Sequence, residues 1–305
     1  MWEVKPRTPD KRAGKRKIRN KERIGAFSGV TLFLFTSLSF ADQPPSVGNF
    51  ALRSSQQPGC LIGFGQNIID PNESELFLFT DDYIGVNKHF IDFSPQYIYG
   101  INEKLSFLLS TPYAVSYKTD SEKSNGFEDA YIQFEYAPYQ NATSRYSEQW
   151  TVLSSLSFPT GSTIKDPATG AGAYSFFVGS TFSRTYVDWF YFGAAGAFFP
   201  GSNHGNKNGN SYLYQCAFGK NIANINGWIL AWLTEFDGAF TERNRANGSI
   251  DVNSGGNVIY ITPSFWASTN IFIFQLGAGI AALQNQNGDQ TRNQYLIAGN
   301  IGISF

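Results

Sequence analysis

From residue 74 to the end, apolar and polar side chains take turns. In the last stretch, Tyr295, Ile297, Gly299, Ile301, Ile303 and Phe305 fall on one face, and Gln294, Leu296, Ala298, Asn300, Gly302 and Ser304 on the other. Successive side chains of a strand point to opposite sides, so this period of two predicts a strand with one greasy face. The same period recurs in twelve segments, at 74–80, 88–99, 105–117, 127–138, 148–159, 173–184, 187–199, 211–220, 227–240, 256–267, 270–283 and 293–305. Turn-forming residues separate them. The breaks alternate in length. Short ones fall at 100–104, 185–186, 221–226 and 268–269; long polar ones fall at 118–126, 160–172, 200–210, 241–255 and 284–292. One break, 139–147, is long where a short one is expected. Tight turns at one end and loops at the other describe an up-and-down array of antiparallel strands.

The faces are unequal. In 227–240, Trp228, Leu230, Trp232, Phe236 and Phe240 oppose Glu235 and Asp237. In 88–99, Ile91, Phe93, Tyr97 and Tyr99 oppose Asp92, Ser94 and Gln96. In 105–117, Phe107, Leu109, Tyr113, Val115 and Tyr117 oppose Ser106, Ser110 and Ser116, and in 270–283, Phe272, Phe274, Leu276 and Ile280 oppose Gln275, Gly277 and Gly279. Strand 187–199 is apolar on both faces and is left unassigned. Tyr97, Tyr99, Trp150, Trp228, Trp266 and Tyr295 sit near strand ends. Rings at both ends of alternating strands mark the interfacial girdles of a membrane barrel. In lipid no water satisfies the backbone, so such a sheet must close on itself. The fold expected is all-β: a closed antiparallel up-and-down transmembrane β-barrel of about twelve strands over 74–305. A secreted sandwich would have shorter strands and more even loops.

Composition agrees. Aromatic residues make up 16% of the 305 residues, with 28 Phe, 16 Tyr and a single Met, a set that suits strands. The net charge of −1 conceals an asymmetry: about 10 of the 23 Lys/Arg but only about 3 of the 24 Asp/Glu lie in residues 1–24, which leaves the rest acidic by roughly eight charges. A basic arm for nucleic acid is one reading of that start. The next residues, IGAFSGVTLFLFTSLSFA, argue for another. Basic residues, a short apolar run, and Ser39 and Ala41 before DQPP form a secretory signal peptide, 1–41. No later run is long and apolar enough for a membrane helix. Residues 42–73, rich in Gly, Asn and Pro, are either an extra strand or a plug inside the barrel. Cys60 and Cys216 make no disulfide framework and are read as small apolar fillers.

Candidate chemistry is sparse. His89 and His204 are the two histidines, and neither has a nucleophile and an orienting partner in evident reach, so an enzyme is not expected. No motif calls for a metal or cofactor. The Gly-rich stretches at 170–173 and 253–256 lack the Lys and the helix of a phosphate cradle. The inward polar face supplies the candidates for a solute path: Asp92, Gln96, Asp129, Tyr131, Gln133, Glu135, Phe177, Glu235 and Asp237, with Phe127 on the same side. Carboxylates there either set a field that favours cations or pair with Arg and Lys to fill a closed lumen. The rings can stack a flat solute or pack a plug.

Two resemblances follow. The final strand, with Tyr295 and the last residue Phe305, looks like the sorting signal of bacterial outer-membrane proteins read by the barrel-assembly machinery. GFEDAYIQFEY (126–136), SSLSFPTGS (154–162), GAGAYSFFVGSTFSR (170–184) and WFYFGAAGAFF (189–199) are, in that order, similar to the outer-membrane channels named for the meta-pathway of phenol degradation. Asp129, Pro159, Thr160 and Gly161 carry the motif, with structural roles: Pro ends a ladder and Gly permits a turn. Gly126-Phe127-Glu128-Asp129 departs from the family's more regular Gly-Leu-Gly-Asp. The resemblance implies a Gram-negative outer-membrane channel for passive uptake of small, aromatic or hydrophobic solutes, in contact with outer-membrane lipid. The alternative is a closed barrel serving as a surface or adhesion protein through its external loops.

Overall fold

The computed structural model describes residues 43–119 and 122–305; the signal-peptide segment 1–41 lies outside the described residues. Twelve spans form one antiparallel sheet. They are β1 (Ser74–Gly85), β2 (Lys88–Asn102), β3 (Leu105–Ser110 and Tyr113–Thr119), β4 (Glu122–Phe127 and Tyr131–Ala142), β5 (Tyr146–Ser157), β6 (Ser175–Tyr186), β7 (Trp189–Phe199), β8 (Ser211–Ile225), β9 (Trp228–Thr241), β10 (Gly256–Ser268), β11 (Phe272–Gln286) and β12 (Asn293–Ser304). Each pairs with its sequence neighbours, and β1 pairs with both β2 and β12. Ser304 aligns with Glu75, and Ser74 and Phe305 exchange both backbone hydrogen bonds. The sheet therefore has no free edge where it closes, as lipid requires.

Tight turns lie at one end of the barrel, and the long loops lie at the other, together with the two-residue turn 86–87 between β1 and β2. Two breaks differ from expectation. The long break at 139–147 is absent: β4 and β5 run on to Ala142 and Tyr146, and Thr143 caps the tight turn through its hydroxyl, which accepts from Arg145 N and Tyr146 N. The polar stretch 118–126 is mostly strand. At the loop end, two loops build a small four-stranded sheet from Ser202–Asn203, Asn206–Lys207, Arg245–Ala246 and Ser249–Ile250.

The greasy face points outward. Phe93, Leu109, Phe134, Val152, Phe176, Phe218, Phe236, Phe274, Ile297 and Ile301 are all exposed, a continuous apolar belt far beyond what a soluble surface carries. Rings ring the belt: Tyr97, Tyr139, Trp150, Trp189 and Trp228 toward the turn end, Tyr174, Tyr212 and Tyr295 toward the loop end. At the turn end Lys220 sends its ammonium over the Trp189 ring, 5.0 Å from the centroid, so the charge sits at the interface while its stem crosses apolar surface. Phe305 is 71% exposed on this outer face. Cys60 and Cys216 are free thiols, and Cys216 is exposed on the outer belt rather than a buried filler.

Strict alternation fails at several register shifts, and two of them move residues singled out from the sequence. Between Ile91 and Asp92 the register on β3 jumps from Ser116 to Ala114, leaving Val115 unpaired. The extra residue puts Tyr117 opposite Phe90 on the inner face, not with Leu109 outside. The 128–130 break in β4 has the same effect. Phe127 pairs with Tyr113 and is 65% exposed, whereas Tyr131 lines the interior. The expectation that Phe127 and Tyr131 share a face is corrected by this break.

Candidate functional site: the lumen and its inner segment

Residues 43–73 run inside the barrel. The segment starts at the turn end, where Asn49 N donates to Val187 O and Asn49 Nδ2 to Tyr186 O. Leu52 packs among Phe190, Ile229, Ala231, Leu233, Trp266 and Ile273. This answers the two-faced pattern of β7: Phe190 and Phe192 are buried against the interior, while Trp189 and Tyr191 face out. Further up, Phe64 meets Phe177 edge-on, with ring centroids 5.0 Å apart. Gly179 and Gly196 clear the space: a Cβ at either would stand 2.7 Å from the Phe64 ring or 2.5 Å from the Phe177 ring. The segment then returns to the turn end, where Asn72 N donates to Gly100 O and β1 begins.

Two wall carboxylates hold its far tip. Glu235 accepts from Leu61 N at 2.7 Å and Ile62 N at 3.0 Å. Glu135 accepts from Gln66 N at 2.9 Å, Asn67 N at 3.2 Å, Asn67 Nδ2 at 3.3 Å and the Thr151 hydroxyl at 2.6 Å. Gly65 and Gln66 both take left-handed φ values, 80° and 65°. That turn aims consecutive amides at one carboxylate, a conformation disfavoured for Gln. Between these clamps, Gln215 accepts from Phe64 N at 3.2 Å. Glu135 and Glu235 are each 1% exposed. A buried carboxylate needs such donors to offset its lost hydration.

The segment touches the wall on several sides: beyond the clamps, Leu61 packs on Leu296 and Ala298 of β12, and Ile69 on Ile98 of β2 and Leu108 of β3. Beside it remains a cavity of about 900 Å³. Gln96, Tyr131 and Gln133 line it, together with Phe77, Phe79, Asp81, Tyr83 and Asn300. Tyr131 accepts from Gln96 Nε2 at 3.2 Å. Its lining extends from Glu103, Gln140, Ser147 and Thr185 at the turn end up to Tyr83 near the loop end.

The remaining sequence candidates divide. Asp92 aligns with Asp81 across β1 and β2, and Asp92 Oδ1 is buried with no hydrogen-bond partner. Asp237, 8% exposed, also keeps a buried, unpartnered Oδ2. Among the described residues, ion pairs join Arg53 to Glu73 and Arg184 to Glu148, and His89 contacts Asp82; none of these involves Asp81, Asp92, Glu135, Glu235 or Asp237. Asp129 does not contribute to the lumen face. Its two oxygens accept from Gly161 N at 2.9 Å and Ala171 N at 2.8 Å. The Thr160 hydroxyl accepts from Ala130 N and donates to Glu128 O, both at 2.8 Å. Pro159, Thr160 and Gly161 thus open a loop, 158–174, that is pinned to the break in β4. The loop also takes Ser124 Oγ onto Pro167 O at 2.6 Å, covering the edge of Glu122–Phe127 that lacks a strand neighbour. Gly161 is required by contact, since a Cβ there would lie 2.5 Å from Thr169 O.

His89 Nε2 contacts Asp82 Oδ1 at 2.5 Å. Asp82 aligns with Ile91 and His89 with Ile84, so the pair lies on the outer face, away from the cavity. His204 contacts Asn203 in an external loop. What sequence reasoning missed are Asp81, Phe77, Phe79 and Asn300. Their signal was present, because each falls on the inner parity of β1 or β12.

No protein-family model matches the chain, and no curated protein matches it. The solved structures supply the likeness. An outer membrane channel from Pseudomonas putida F1 superposes with a TM-score of 0.63 over 80% of this chain and 100% of its own, at 10% identity. The NanC porin gives 0.45 over 75% of this chain and 98% of its own, at 11% identity. The beta domain of the Bordetella autotransporter BrkA gives 0.42 over 77% and 100%, at 12% identity. The first of these shows the fold: a closed twelve-stranded antiparallel barrel of the outer-membrane kind.

Proposed function

We propose that this chain is an outer-membrane channel for the passive passage of small solutes, aromatic ones among them. The observation that carries the reading is the cavity of about 900 Å³ beside the inner segment, lined by polar and ring side chains from the turn end to Tyr83. A sealed barrel would have that space filled. Residues 43–73 act as a plug that narrows the path to one side. A twelve-strand barrel already has a narrower interior than the larger porins, so a half-filled one selects rather than sieves. The turn end faces the periplasm, and the loops face outward. Outer-membrane lipid contacts the exposed belt, and the barrel-assembly machinery reads the terminal strand through Tyr295 and Phe305. Membership of the meta-pathway channel family is part of this proposal and rests on the short stretches that resemble it. The lumen carboxylates without basic partners give a cation preference.

The test is a planar bilayer containing the purified protein. Discrete conductance is expected, with a reversal potential on the cation side in a KCl gradient. A folded barrel with neither conductance nor solute flux would overturn the reading. It would favour the second one, a surface protein acting through the loop sheet at Ser202–Asn203 and Ser249–Ile250, where Ile250 and Val252 are exposed.

A further inference from the structure

Four inward positions of β1 follow one another up the cavity wall: Phe77, Phe79, Asp81 and Tyr83. The register gives each its neighbours. Phe77 lies between Gly302 and Gln96, Phe79 between Asn300 and Ser94, Asp81 between Ala298 and Asp92, and Tyr83 between Leu296 and Phe90. The Phe77 and Phe79 rings are stacked, 5.5 Å apart and 29° from parallel. Ser94 and Ala298 beside them are small, so Phe79 and Asp81 line open space, while Phe77 also packs against the clusters around Leu52 and Ile69, and Tyr83 against Leu61 and Tyr260.

Asn300 supplies an independent sign of a ligand. It is 4% exposed and lines the cavity. Its Nδ2 donates to Gln275 Oε1 at 3.3 Å. Gln275 is itself oriented, because its Nε2 donates to Gly59 O at 3.1 Å and Ser264 Oγ at 3.3 Å. That chain leaves Asn300 Oδ1 as the free atom, and it has no hydrogen-bond partner. A buried acceptor without a donor is unfavourable. So are two carboxylates directly opposite on neighbouring strands, as Asp81 and Asp92 are. The two buried unsatisfied atoms at this wall, Asn300 Oδ1 and Asp92 Oδ1, both accept. Among the described residues no Arg or Lys forms an ion pair with either carboxylate.

We infer that the inward face of β1, with Asn300 and Asp92 beside it, is a binding track for a flat aromatic ring that carries an ammonium group. The ring slides on Phe77 and Phe79. The ammonium donates to Asn300 Oδ1 and then to Asp81 and Asp92, with Tyr83 offering its ring face above. An aromatic carboxylate meets the like charges of Asp81 and Asp92 and the acceptor Asn300 Oδ1, and is repelled. This assignment rests on the channel reading and names its solute class.

The experiment is block of single-channel current by three probes on the purified full-length protein: phenethylammonium, phenylacetate and hexylammonium. Phenethylammonium should half-block at a concentration at least tenfold below either of the others, since both the ring and the charge are needed. Asp81→Asn and Phe79→Leu should each raise that concentration about tenfold, the worth of one charge-assisted hydrogen bond or one ring contact. If Phe79→Leu does not fold, the isosteric Asp81→Asn carries the test. Equal block by phenylacetate, or no change in Asp81→Asn, would overturn the track. Calorimetric titration of the same barrel in detergent separates this from the channel reading. Phenethylammonium binding that Asp81→Asn weakens about tenfold, in a barrel that does not conduct, keeps the site and removes transport. A conducting barrel that neither binds nor is blocked by phenethylammonium keeps transport and removes the site.

Discussion

Replacing both clamp carboxylates, Glu135→Gln with Glu235→Gln, should release the tip of the inner segment while leaving the barrel intact. Gln keeps the shape but puts an NH₂ where one oxygen accepted a backbone amide. At Glu235 one of two bonds is lost, to Leu61 N or Ile62 N. At Glu135 one oxygen's share is lost, either the Gln66 N and Thr151 bonds or the two from Asn67. A hydrogen bond to a charged group contributes about 1.5–3 kcal/mol. The two sites grip different residues, 61–62 and 66–67, and the Thr151 bond does not hold the segment, so counting one segment bond at each site the pair should cost the docked tip about 3–6 kcal/mol. That raises the detached population by roughly 10²–10⁴-fold. The apolar contacts of Leu52 near the turn end are untouched, so only the tip is freed. Cys60 reports the change. In the docked segment, burial, then the charges of Glu235 and Asp237, push its thiol well above the usual range. Thiolate is the reactive form, so labelling by a polar thiol reagent should be slow in the wild type and at least tenfold faster in the double variant, measured in a Cys216→Ser background. Single-channel conductance should rise in step. Glu235→Gln alone also removes a charge beside Cys60, so a modest rate gain in that variant is electrostatic. Unchanged labelling and unchanged conductance in the double variant, with the barrel still folded by heat-modifiable mobility, would refute the clamp.

Other expectations are independent of this one. Asp129→Ala should remove both anchors of loop 158–174 and lower barrel stability by about 2–5 kcal/mol, read as a lower denaturant midpoint, with proteolysis mapping to the loop; Gly161→Ala should do likewise through its clash with Thr169 O. Gly196→Ala places a methyl 2.5 Å from the Phe177 ring, so Phe64 should be displaced and conductance altered while far-ultraviolet dichroism stays the same. In Phe305→Ala an exposed ring is lost, so the purified variant should refold with an unchanged midpoint, yet accumulate poorly in outer membranes; equal accumulation would remove the assembly role proposed for that residue.

Period-two alternation was enough to place all twelve strands and to say which face of most of them meets lipid. The reason is physical: a barrel wall has one apolar side and one interior side, and a strand cannot reverse that without an extra residue. Where an extra residue occurs, as at Val115 and at 128–130, the local pattern continues but the geometry flips, and Tyr117 and Phe127 depart from the expected face. The roles of Glu135, Glu235 and Asp129 lay beyond the pattern altogether. Their partners stand 69, 174 and 32 positions away in the chain, and nothing in a strand's own alternation names a distant backbone amide. A carboxylate on the inner face reads the same whether it looks into an open path, grips a segment or pins a loop. The sequence by itself determined the wall, because lipid on one side imposes a repeating local rule. Only the tertiary structure decided the interior, where residues 43–73 fill part of the space and leave Phe79, Asp81 and Asn300 lining the cavity that remains.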